Sequence, residues 1–291
     1  MHGHIPVLLD EILGVLAPGP GEIYADCTVG LGGHAVEIAR RIGPGGMVVM
    51  NDCDLGNLSL AESRLRRELG ERCPRIAAFR GNFAVLPRLM AESVLRANMV
   101  LADLGFASNQ MDDASRGFSF SREGPLDMRL ARPGDEPADQ PELPPSAAEL
   151  VASLPESELV RILREFGEER RASGIARKIA AARRSHPIST TTDLASIVRS
   201  ATGRPEPGGI DPATKTFQAL RIAVNDELGN LDALLHAIGG GMAEIARPDW
   251  LASGARVGVI SFHSLEDRPV KSEFGRLCRE GMAEDICGGP V

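Results

Sequence analysis

The stretch DCTVGLGGHA, residues 26–35, decides how the first part of this chain is expected to fold. It follows a run of strand-forming residues, contains Gly30, Gly32 and Gly33, and leads into a helical pattern. Strand, glycine-rich turn and helix in this order are typical of the first βα unit of an open parallel sheet, where ligands bind beyond the strand ends. Glycine permits a tight turn and a close approach to bare main chain, and the helix N-terminus adds N–H donors.

Five apolar runs predict the strands of this sheet, at 22–28, 46–52, 75–81, 97–105 and 256–262. The runs are mostly continuous, which is typical of strands buried on both faces. Helical patterns separate the first four runs. The first pattern consists of Ala35, Ile38, Ala39 and Ile42 and ends at Gly43, and the second consists of Leu58, Leu60, Leu65 and Leu69. This alternation predicts an α/β fold with a doubly wound parallel sheet.

A long gap separates the fourth and fifth predicted strands, too long for a single crossover. It contains five prolines between residues 131 and 145, which indicate a linker. Helical segments are then predicted near 146–153, 156–184, 191–202 and 212–238. We therefore predict a mainly helical domain over 110–215, inserted into a sheet domain formed by 1–109 and 216–291.

The charge of the chain is unevenly distributed. The formal net charge is −8, yet residues 161–221 contain twelve Lys or Arg against six Asp or Glu, while 133–158 contain seven acids and no Lys or Arg. Segregation of this kind can give an acidic protein a basic, nucleic-acid-binding face. No apolar stretch reaches membrane-spanning length and no signal-peptide pattern is present, so we expect a cytoplasmic protein without a membrane partner. The five cysteines form no CxxC pair, so we predict no metal site.

Two classes of nucleotide ligand use a glycine loop of this kind. Dinucleotide-binding proteins have G-x-G-x-x-G around a pyrophosphate, whereas methyltransferases have a shorter pattern for S-adenosylmethionine. The G-x-G-G of residues 30–33 favours S-adenosylmethionine. Asp52 ends the second strand about 20 residues beyond the loop, where a carboxylate can accept both ribose hydroxyls. Asp54 is the rival acid for that role.

The third and fourth strands lead to two further candidates. Phe83 follows the third strand and could cover one face of an adenine ring. Asp103 ends the fourth strand, at the place where amino-group methyltransferases have a polar motif that accepts hydrogen bonds from the target NH₂. Such bonds would orient the nitrogen lone pair toward the methyl group, so positioning matters more than a strong base.

Several motifs together resemble the ribosomal RNA small subunit methyltransferase H family and cover nearly the whole chain in the family's order. Two of them, RGFSFSREGPLDMR (116–129) and DPATKTFQALRIAVNDEL (211–228), are far more specific than a glycine loop. The other matching stretches are HIPVLLDEIL (4–13), DCTVGLGGHA (26–35), GNFAVL (81–86), DLGFASNQMD (103–112), FGEER (166–170) and ISFHSLEDR (260–268). The resemblance implies a class I, Rossmann-like methyltransferase fold with a helical insertion, acting on the exocyclic N4 of a cytidine in small-subunit ribosomal RNA.

The resemblance also implies which residues act. Cofactor contacts are expected at Gly32, Gly33, His34, Asp52, Phe83, Asp103 and Gln110. Asp103 and Asn109 are the catalytic candidates. The sequence departs from the family pattern in three places. Where the family has Ser-Ser-Pro-Gln this chain has ASNQ (107–110), and where the family has Asp-Arg-Asp-Pro it has DCDL (52–55). The last strands of the family have no counterpart in CREGMAEDICGGPV (278–291). Either the sheet lacks those strands, or this tail has diverged or been shortened.

Basic residues of the helical region are the candidates for RNA contact. Arg170, Arg177 and Arg184 are seven residues apart, with Arg171 and Lys178 beside them, which predicts one stripe on a helix. Lys215 and Arg221 belong to a family motif, and His263 follows the fifth strand on the ligand side. From these residues we predict RNA contacts at Arg170, Arg177, Lys178, Lys215, Arg221 and His263. The alternative reading of each is a solvated helix charge or a structural histidine.

Taken together, the sequence predicts an S-adenosylmethionine-dependent methyltransferase of small-subunit ribosomal RNA, acting within the assembled subunit. The alternative is a catalytically weakened relative that binds RNA or the ribosome as an assembly factor, which the ASNQ loop and the tail motivate. A nicotinamide dehydrogenase is disfavoured by the loop spacing. The single Tyr24 and single Trp250 argue against a general single-strand binder. The oligomeric state stays open, with a homodimer as one candidate.

Overall fold

The computed structural model describes residues 6–132, 143–203, 209–240 and 250–286. Contacts between Cα atoms divide the chain into two compact units. The sheet unit comprises Met1–Gly105 and Leu228–Val291, and the helical unit comprises Phe106–Glu227. The predicted boundary at 215/216 would cut through a helix that lies entirely within the helical unit. The assignment of cofactor binding and substrate recognition to separate domains stays a prediction.

The sheet has the parallel, doubly wound α/β topology that the sequence predicts. Its order is β3-β2-β1-β4-β5, and every neighbouring pair is parallel. The chain thus runs outward from β1 to β3 and then returns to the other side of β1, so β1 and β4 flank the point where the winding reverses. The strands are β1 Ile23–Asp26, β2 Met47–Asp52, β3 Arg75–Arg80, β4 Ala97–Asp103 and β5 Leu251–Ile260. Within the described ranges, no strand follows β5.

Helices cover both faces of the sheet. The α-helices of the sheet unit are α1 Leu9–Leu16, α2 Gly33–Ile42, α3 Leu55–Leu69, α4 Leu86–Glu92, α11 Glu227–Gly239, which begins at the last residue of the helical unit, and α12 Ser264–Arg279. Alternate strand residues enter different cores: Tyr24 packs with α1, α2 and α3, whereas Ala25 packs with α4 and α11. This explains why the strands have continuous apolar runs.

The periodicity of the first two helices is largely confirmed. The four predicted α2 residues are buried, and Gly43 ends this helix with a φ of 66°. In α3, Leu58, Leu65 and Leu69 are buried, whereas Leu60 is 55% exposed and lies outside the buried face of the helix. Leu60 is out of phase with the i, i+3, i+4 spacing, and Ala61 occupies the core position instead.

The helical unit packs around a separate apolar core that includes Phe118, Leu126 and Met128. Its α-helices are α5 Ser108–Asp112, α6 Ala147–Ser153, α7 Glu156–Glu165, α8 Ala172–Ala182, α9 Thr191–Thr202 and α10 Ala213–Asn225. The predicted proline-rich linker falls largely on residues 133–142, outside the described residues. None of the helices in the described part of the chain is both long and apolar enough to span a membrane.

Two helices predicted as continuous are broken in the structure. The segment 156–184 divides into α7 and α8 because Glu168 has a φ of 46°, and a Cβ on Gly167 would lie 2.7 Å from the carbonyl oxygen of Lys215. The segment 212–238 divides into α10 and α11 at Asp226, whose φ is 48°. Asp adopts this left-handed conformation more readily than most residues.

Candidate functional site

Three carboxylates lie at the carboxyl edge of the sheet, at the ends of adjacent strands. Asp52 ends β2, Asp26 ends β1 and Asp103 ends β4. Among the described residues, none of the three forms an ion pair with Lys or Arg. Sequence reasoning identified Asp52 and Asp103 but treated Asp26 only as the end of a strand. A carboxylate that ends an apolar run just before a glycine loop was the available signal.

Asp26 is 2% exposed and held by its own strand. Its carboxylate accepts hydrogen bonds from the Tyr24 hydroxyl at 2.8 Å and from the Thr28 N–H at 3.2 Å. Burial raises the pKa of Asp26 to about 7, and the nearby charges of Asp103 and Asp52 add to this rise. The hydrogen bonds from Tyr24 and Thr28 oppose it. Asp26 is therefore a buried acid whose charged form a nearby cation would stabilise.

Asp52 connects the second strand to the glycine loop. One carboxylate oxygen accepts the Gly30 N–H at 2.9 Å and the other accepts the Asp54 N–H at 2.8 Å. Burial raises the pKa of Asp52 to about 6, although these hydrogen bonds favour its ionised form. The rival acid Asp54 is the N-cap of α3, where its side chain accepts from the N–H of Gly56 at 2.8 Å. Asp54 thus has a structural role, and Asp52 stays the candidate for the ribose.

Asp103 faces His34 across the start of α2. The His34 Nε2 lies 3.8 Å from one carboxylate oxygen of Asp103, beyond hydrogen-bond length. The other oxygen, Oδ1, is buried and has no hydrogen-bond partner among the described residues. Burial raises the pKa of Asp103 to about 6, with a contribution from the charge of Glu266. Burial also lowers the pKa of His34. Asp103 therefore offers an unsatisfied acceptor at this edge.

Backbone conformation and packing within the protein explain why the loop before α2 has glycines. Gly30 and Gly32 have φ of 50° and 73°, which favour glycine. A Cβ on Gly32 would lie 3.1 Å from the Ala61 Cα, and a Cβ on Gly33 would lie 2.7 Å from the Pro6 Cγ. The protein's own atoms thus explain Gly32 and Gly33, and contact between their backbone and a cofactor stays a prediction.

Phe83 lies in a 3-10 helix, Phe83–Val85, directly after β3. Asn82 caps this short helix by accepting the Ala84 N–H at 2.9 Å. The Phe83 side chain is half-buried and packs against the core shared with α4 and α11. Its position beyond the end of β3 agrees with the predicted site, and its contact with an adenine ring stays a prediction.

Asn109 and Gln110, the remaining predicted residues of this group, belong to the helical unit. Gln110 is 3% exposed, and its Oε1 accepts the Ala107 N–H at 2.9 Å. This bond joins the first and last residues of the ASNQ stretch and fixes the start of α5. Asn109 is half-buried, and its backbone oxygen accepts the Asp113 N–H at 3.1 Å. The predicted contacts of Asn109 and Gln110 with cofactor or target stay predictions.

The predicted RNA-binding stripe is only partly helical. Arg177 and Lys178 lie on α8 and are exposed, whereas Arg170 precedes this helix and Arg184 follows it in turns. The stripe of three arginines on one helix was therefore wrong, because α8 is shorter than the predicted segment. Within the described part of the chain, Arg170, Arg177 and Lys178 have no ion-pair partner.

The other three predicted RNA contacts have partners within the protein. Lys215 Nζ donates to the Glu168 carbonyl at 3.1 Å. The Arg221 guanidinium makes two 2.8 Å hydrogen bonds to Glu227 and lies 5.0 Å from the centroid of the Phe106 ring. The His263 Nε2 lies 3.4 Å from the buried Glu266 carboxylate. These contacts give each residue a structural role, and RNA binding by them stays a prediction.

The charges at the sheet edge indicate what kind of ligand fits. S-adenosylmethionine has a sulfonium and an ammonium against one carboxylate, so it is a net cation that Asp26, Asp52 and Asp103 would attract. A pyrophosphate would be repelled by the same three groups. The unsatisfied Oδ1 of Asp103 is a further acceptor for a donor from a ligand. The residues present therefore fit S-adenosylmethionine better than a nicotinamide dinucleotide.

Comparisons with known proteins agree with this chemistry. The model of a family described as the MraW methylase family matches residues 1–285. A protein of Acidobacterium capsulatum named ribosomal RNA small subunit methyltransferase H is 42% identical over 291 residues, covering 99% of this chain and 90% of the relative. A protein of the same name from Halorhodospira halophila is 45% identical over 281 residues, covering 96% and 79%.

Solved structures give only partial similarities. A structure described as a putative rRNA-methylase from Clostridium thermocellum aligns with a TM-score of 0.29 and 17% identity, covering 36% of this chain and 54% of that one. An S-adenosylmethionine-dependent O-methyltransferase from Thermotoga maritima aligns with a TM-score of 0.28 and 21% identity, covering 36% and 37%. Similarities of this extent support no conclusion about this chain.

Proposed function

Because the chain belongs to the MraW methylase family, we propose that it methylates the exocyclic N4 amino group of a cytidine in small-subunit ribosomal RNA. The methyl donor is S-adenosylmethionine. The name that the Acidobacterium and Halorhodospira relatives share supports the RNA substrate. The choice of N4 and of cytidine rests on the resemblance described above and on the acceptor chemistry of Asp103.

The observation that carries this proposal is the row of three carboxylates at the ends of β2, β1 and β4. When bound, S-adenosylmethionine supplies an electrophilic methyl group on a positively charged sulfur. We assign Asp52 to the ribose hydroxyls. Asp26 and Asp103 would provide negative charge for the cationic aminoacyl and sulfonium groups. We assign Phe83 to the face of the adenine, and Gly32, Gly33 and His34, at the turn into α2, to further cofactor contacts.

Asp103 is the residue that we assign to the target amino group. Its Oδ1 can accept an N–H of that group and thereby direct the nitrogen lone pair toward the methyl group. The amino nitrogen of cytosine is a weak nucleophile, so this positioning matters more than general-base strength. Transfer would break the bond between the methyl carbon and the sulfur as the new C–N bond forms, leaving a neutral thioether, and the nitrogen would then have to lose a proton. With a pKa raised to about 6, the Asp103 carboxylate can receive it.

Asn109 and Gln110 complete the proposed set. Asn109 stands where the family has proline, and its amide can both donate and accept hydrogen bonds. Gln110 shapes the ASNQ turn through its bond to Ala107. We assign Asn109 a catalytic role at the target amino group from the chemistry of its amide, and Gln110 a contact with the cofactor from the resemblance.

RNA binding is proposed to depend mainly on exposed cations of the helical unit. Arg170, Arg177 and Lys178 are exposed and positioned for phosphate contacts, which give affinity without sequence selectivity. Lys215, Arg221 and His263 are weaker candidates, since each already contacts a protein group. The helical unit would thus serve substrate recognition, and the sheet unit would serve cofactor binding.

Three further proposals concern the form of the substrate, the location of the protein and its oligomeric state. The substrate is the assembled small subunit, the protein acts in the cytoplasm, and a homodimer is its candidate oligomeric state. None of the comparisons favours the alternative of a weakened relative that acts only as an assembly factor. The family match likewise gives no support to a nicotinamide dehydrogenase.

Two measurements test the proposal, one on the intact protein and one on ribosomal RNA from cells. Calorimetric titration should show binding of S-adenosylmethionine and no binding of a nicotinamide dinucleotide. Mass spectrometry of small-subunit ribosomal RNA from a deletion strain should show one cytidine that lacks a methyl group, which the wild-type gene restores and an Asp103→Asn variant does not. Cofactor binding with an unchanged RNA modification pattern would contradict the proposed activity.

A further inference from the structure

The Phe262 side chain is an exposed aromatic ring at the carboxyl edge of the sheet. Its exposed fraction is 59%, whereas the single Tyr24 and the single Trp250 are buried. Phe262 lies two residues beyond Ile260, the last residue of β5, and Ile260 pairs with Asp103 in the sheet register. The ring therefore lies at the same edge as Asp103, beside the strand that Asp103 ends.

The ring lies near Gly105, two residues after Asp103. A Cβ added to Gly105 would lie 3.7 Å from the Phe262 Cδ2, an ordinary van der Waals distance. Gly105 has a φ of 103°, which favours glycine. The ring thus lies beside the segment after β4, and with 59% exposure it is open to a ligand.

The backbone that carries this ring is held in place. The Phe262 N–H donates to the Glu266 Oε2 at 3.0 Å, and Glu266 is 2% exposed. α12 begins at Ser264, so the residue lies in a short link between β5 and a helix. The Glu266 charge also acts on Asp103, which places the carboxylate that holds Phe262 near the carboxylate that we assign to the target. A ring on a fixed backbone loses little conformational freedom when it binds a partner.

We propose that the Phe262 ring stacks against the target base while the amino group of that base faces Asp103. This proposal rests on the proposed function. It adds a residue that would fix the orientation of the target base by stacking on its face. Proteins that act on a base take it out of its stack and supply replacement contacts on its face. An aromatic ring supplies such a contact for any base. Phe262 would therefore position the base, and the acceptor on Asp103 would select an exocyclic amino group.

The kinetic test compares variants that differ in the ring. Phe262→Ala should lower kcat/KM for the RNA about 5- to 100-fold, mainly through KM, because stacking on one aromatic ring contributes that much affinity. Phe262→Tyr and Phe262→Trp should retain activity, whereas Phe262→Leu, which keeps apolar bulk without the ring, should not. Leu60→Ala is the control, since Leu60 is also an exposed apolar residue of the sheet unit, on α3.

A fluorescence measurement can detect stacking of the base on residue 262 without methyl transfer. Trp250 is 1% exposed, so Phe262→Trp introduces an exposed indole whose fluorescence reports on its surroundings. A cytidine-containing RNA fragment should quench the added fluorescence and leave that of the wild-type protein unchanged. Thermal melting of each variant checks the fold.

The outcomes separate the two proposals. Stacking is overturned if Phe262→Ala matches the wild type in kcat/KM, if Phe262→Leu is as active as Phe262→Trp, or if RNA leaves the added indole unquenched. The proposed function fails instead if the wild-type protein binds no S-adenosylmethionine or transfers no methyl group. If RNA still quenched the fluorescence of Phe262→Trp in that case, Phe262 would be an RNA contact of a protein that does not methylate.

Discussion

Pro6 occupies the space that a side chain on Gly33 would need. A Cβ on Gly33 would lie 2.7 Å from the Pro6 Cγ, closer than such atoms approach in real proteins. Gly33 is the first residue of α2 and belongs to the loop that the sequence assigns to the cofactor. The segment before α1 therefore packs directly on the start of α2, and the absence of a side chain at Gly33 serves that contact.

We expect Gly33→Ala to destabilise the protein by about 1–3 kcal/mol, because an added methyl group in a filled space forces its neighbours to move. Denaturation in urea measures the change. Gly14→Ala is the matched control: Gly14 lies in α1, and a Cβ there would meet nothing within 4 Å. That control should be neutral or slightly stabilising. Equal effects of the two substitutions would contradict the contact, and adding Pro6→Ala to Gly33→Ala should recover part of the loss.

Asp52→Ala should weaken S-adenosylmethionine binding by roughly 1.5–3 kcal/mol, since it removes an acceptor for the ribose and leaves the Gly30 N–H without its 2.9 Å bond. Calorimetric titration measures the affinity. Asp54→Ala is the control, because it removes the cap of α3 and should cost about 1 kcal/mol of folding stability while Asp52 stays in place. Similar losses of cofactor affinity in both variants would argue that only the fold of the loop matters.

The elements that the sequence predicts well depend on local patterns. The strands have continuous apolar runs because Tyr24 and Ala25 point into two different cores, so both faces demand apolar residues. The end of α7 could not be predicted in this way. It depends on Gly167 approaching the carbonyl of Lys215, a residue far away in sequence. Leu60 lies in the predicted helix, but its spacing places it on the outer face, where it is 55% exposed.

The residues of the candidate site also differ in whether a local sequence pattern could predict them. Asp52 and Asp103 were predictable because a carboxylate at the end of an apolar run is a local signal. The contact of Pro6 with Gly33 and the exposure of Phe262 were not, since both depend on which distant segments meet. The motif at 116–129 likewise makes a contact with a residue far away in sequence. Met128 has a φ of 65°, and its carbonyl accepts the Asn225 Nδ2 at 2.8 Å.

Binding of S-adenosylmethionine should weaken as the pH falls from 7.5 to 5.5. The pKa values of Asp52 and Asp103 are raised to about 6 and that of Asp26 to about 7, so all three protonate across this range and lose their attraction for a cation. Calorimetric titration at several pH values measures the change. Asp103→Asn should flatten the profile, and an equally steep profile in that variant would exclude Asp103 as a contributor.

The same three acids should make folding stability without cofactor fall as the pH rises. Their folded pKa values exceed the unfolded value of 3.8, so the folded state binds more protons between about pH 4 and pH 7. Their favourable contribution is therefore present below pH 4 and is lost as the pH rises through the folded values. Thermal melting should show a larger stabilisation by S-adenosylmethionine at pH 7.5 than at pH 5.5, and equal stabilisation would contradict a site built on these carboxylates.

The affinity for RNA should depend on salt through Arg170, Arg177 and Lys178. Replacing all three with Gln should reduce the slope of log K against log salt by about 2, since each phosphate contact on a single strand contributes about 0.7. Filter binding or anisotropy with a ribosomal RNA fragment measures the slope. Binding of S-adenosylmethionine should not change, because none of these three residues is assigned to the cofactor.

Arg161→Gln is the matched control for that experiment. Arg161 is an exposed arginine of the same unit, but its guanidinium already binds Glu158 at 2.9 Å and Glu165 at 2.8 Å. A cation that is neutralised by its own helix displaces few counterions from RNA, so its loss should leave the slope nearly unchanged. The contradicting result is that Arg161→Gln lowers the slope as much per charge as the triple variant does. In that case the affinity for RNA depends on the overall charge of the helical unit, and the three residues have no special role.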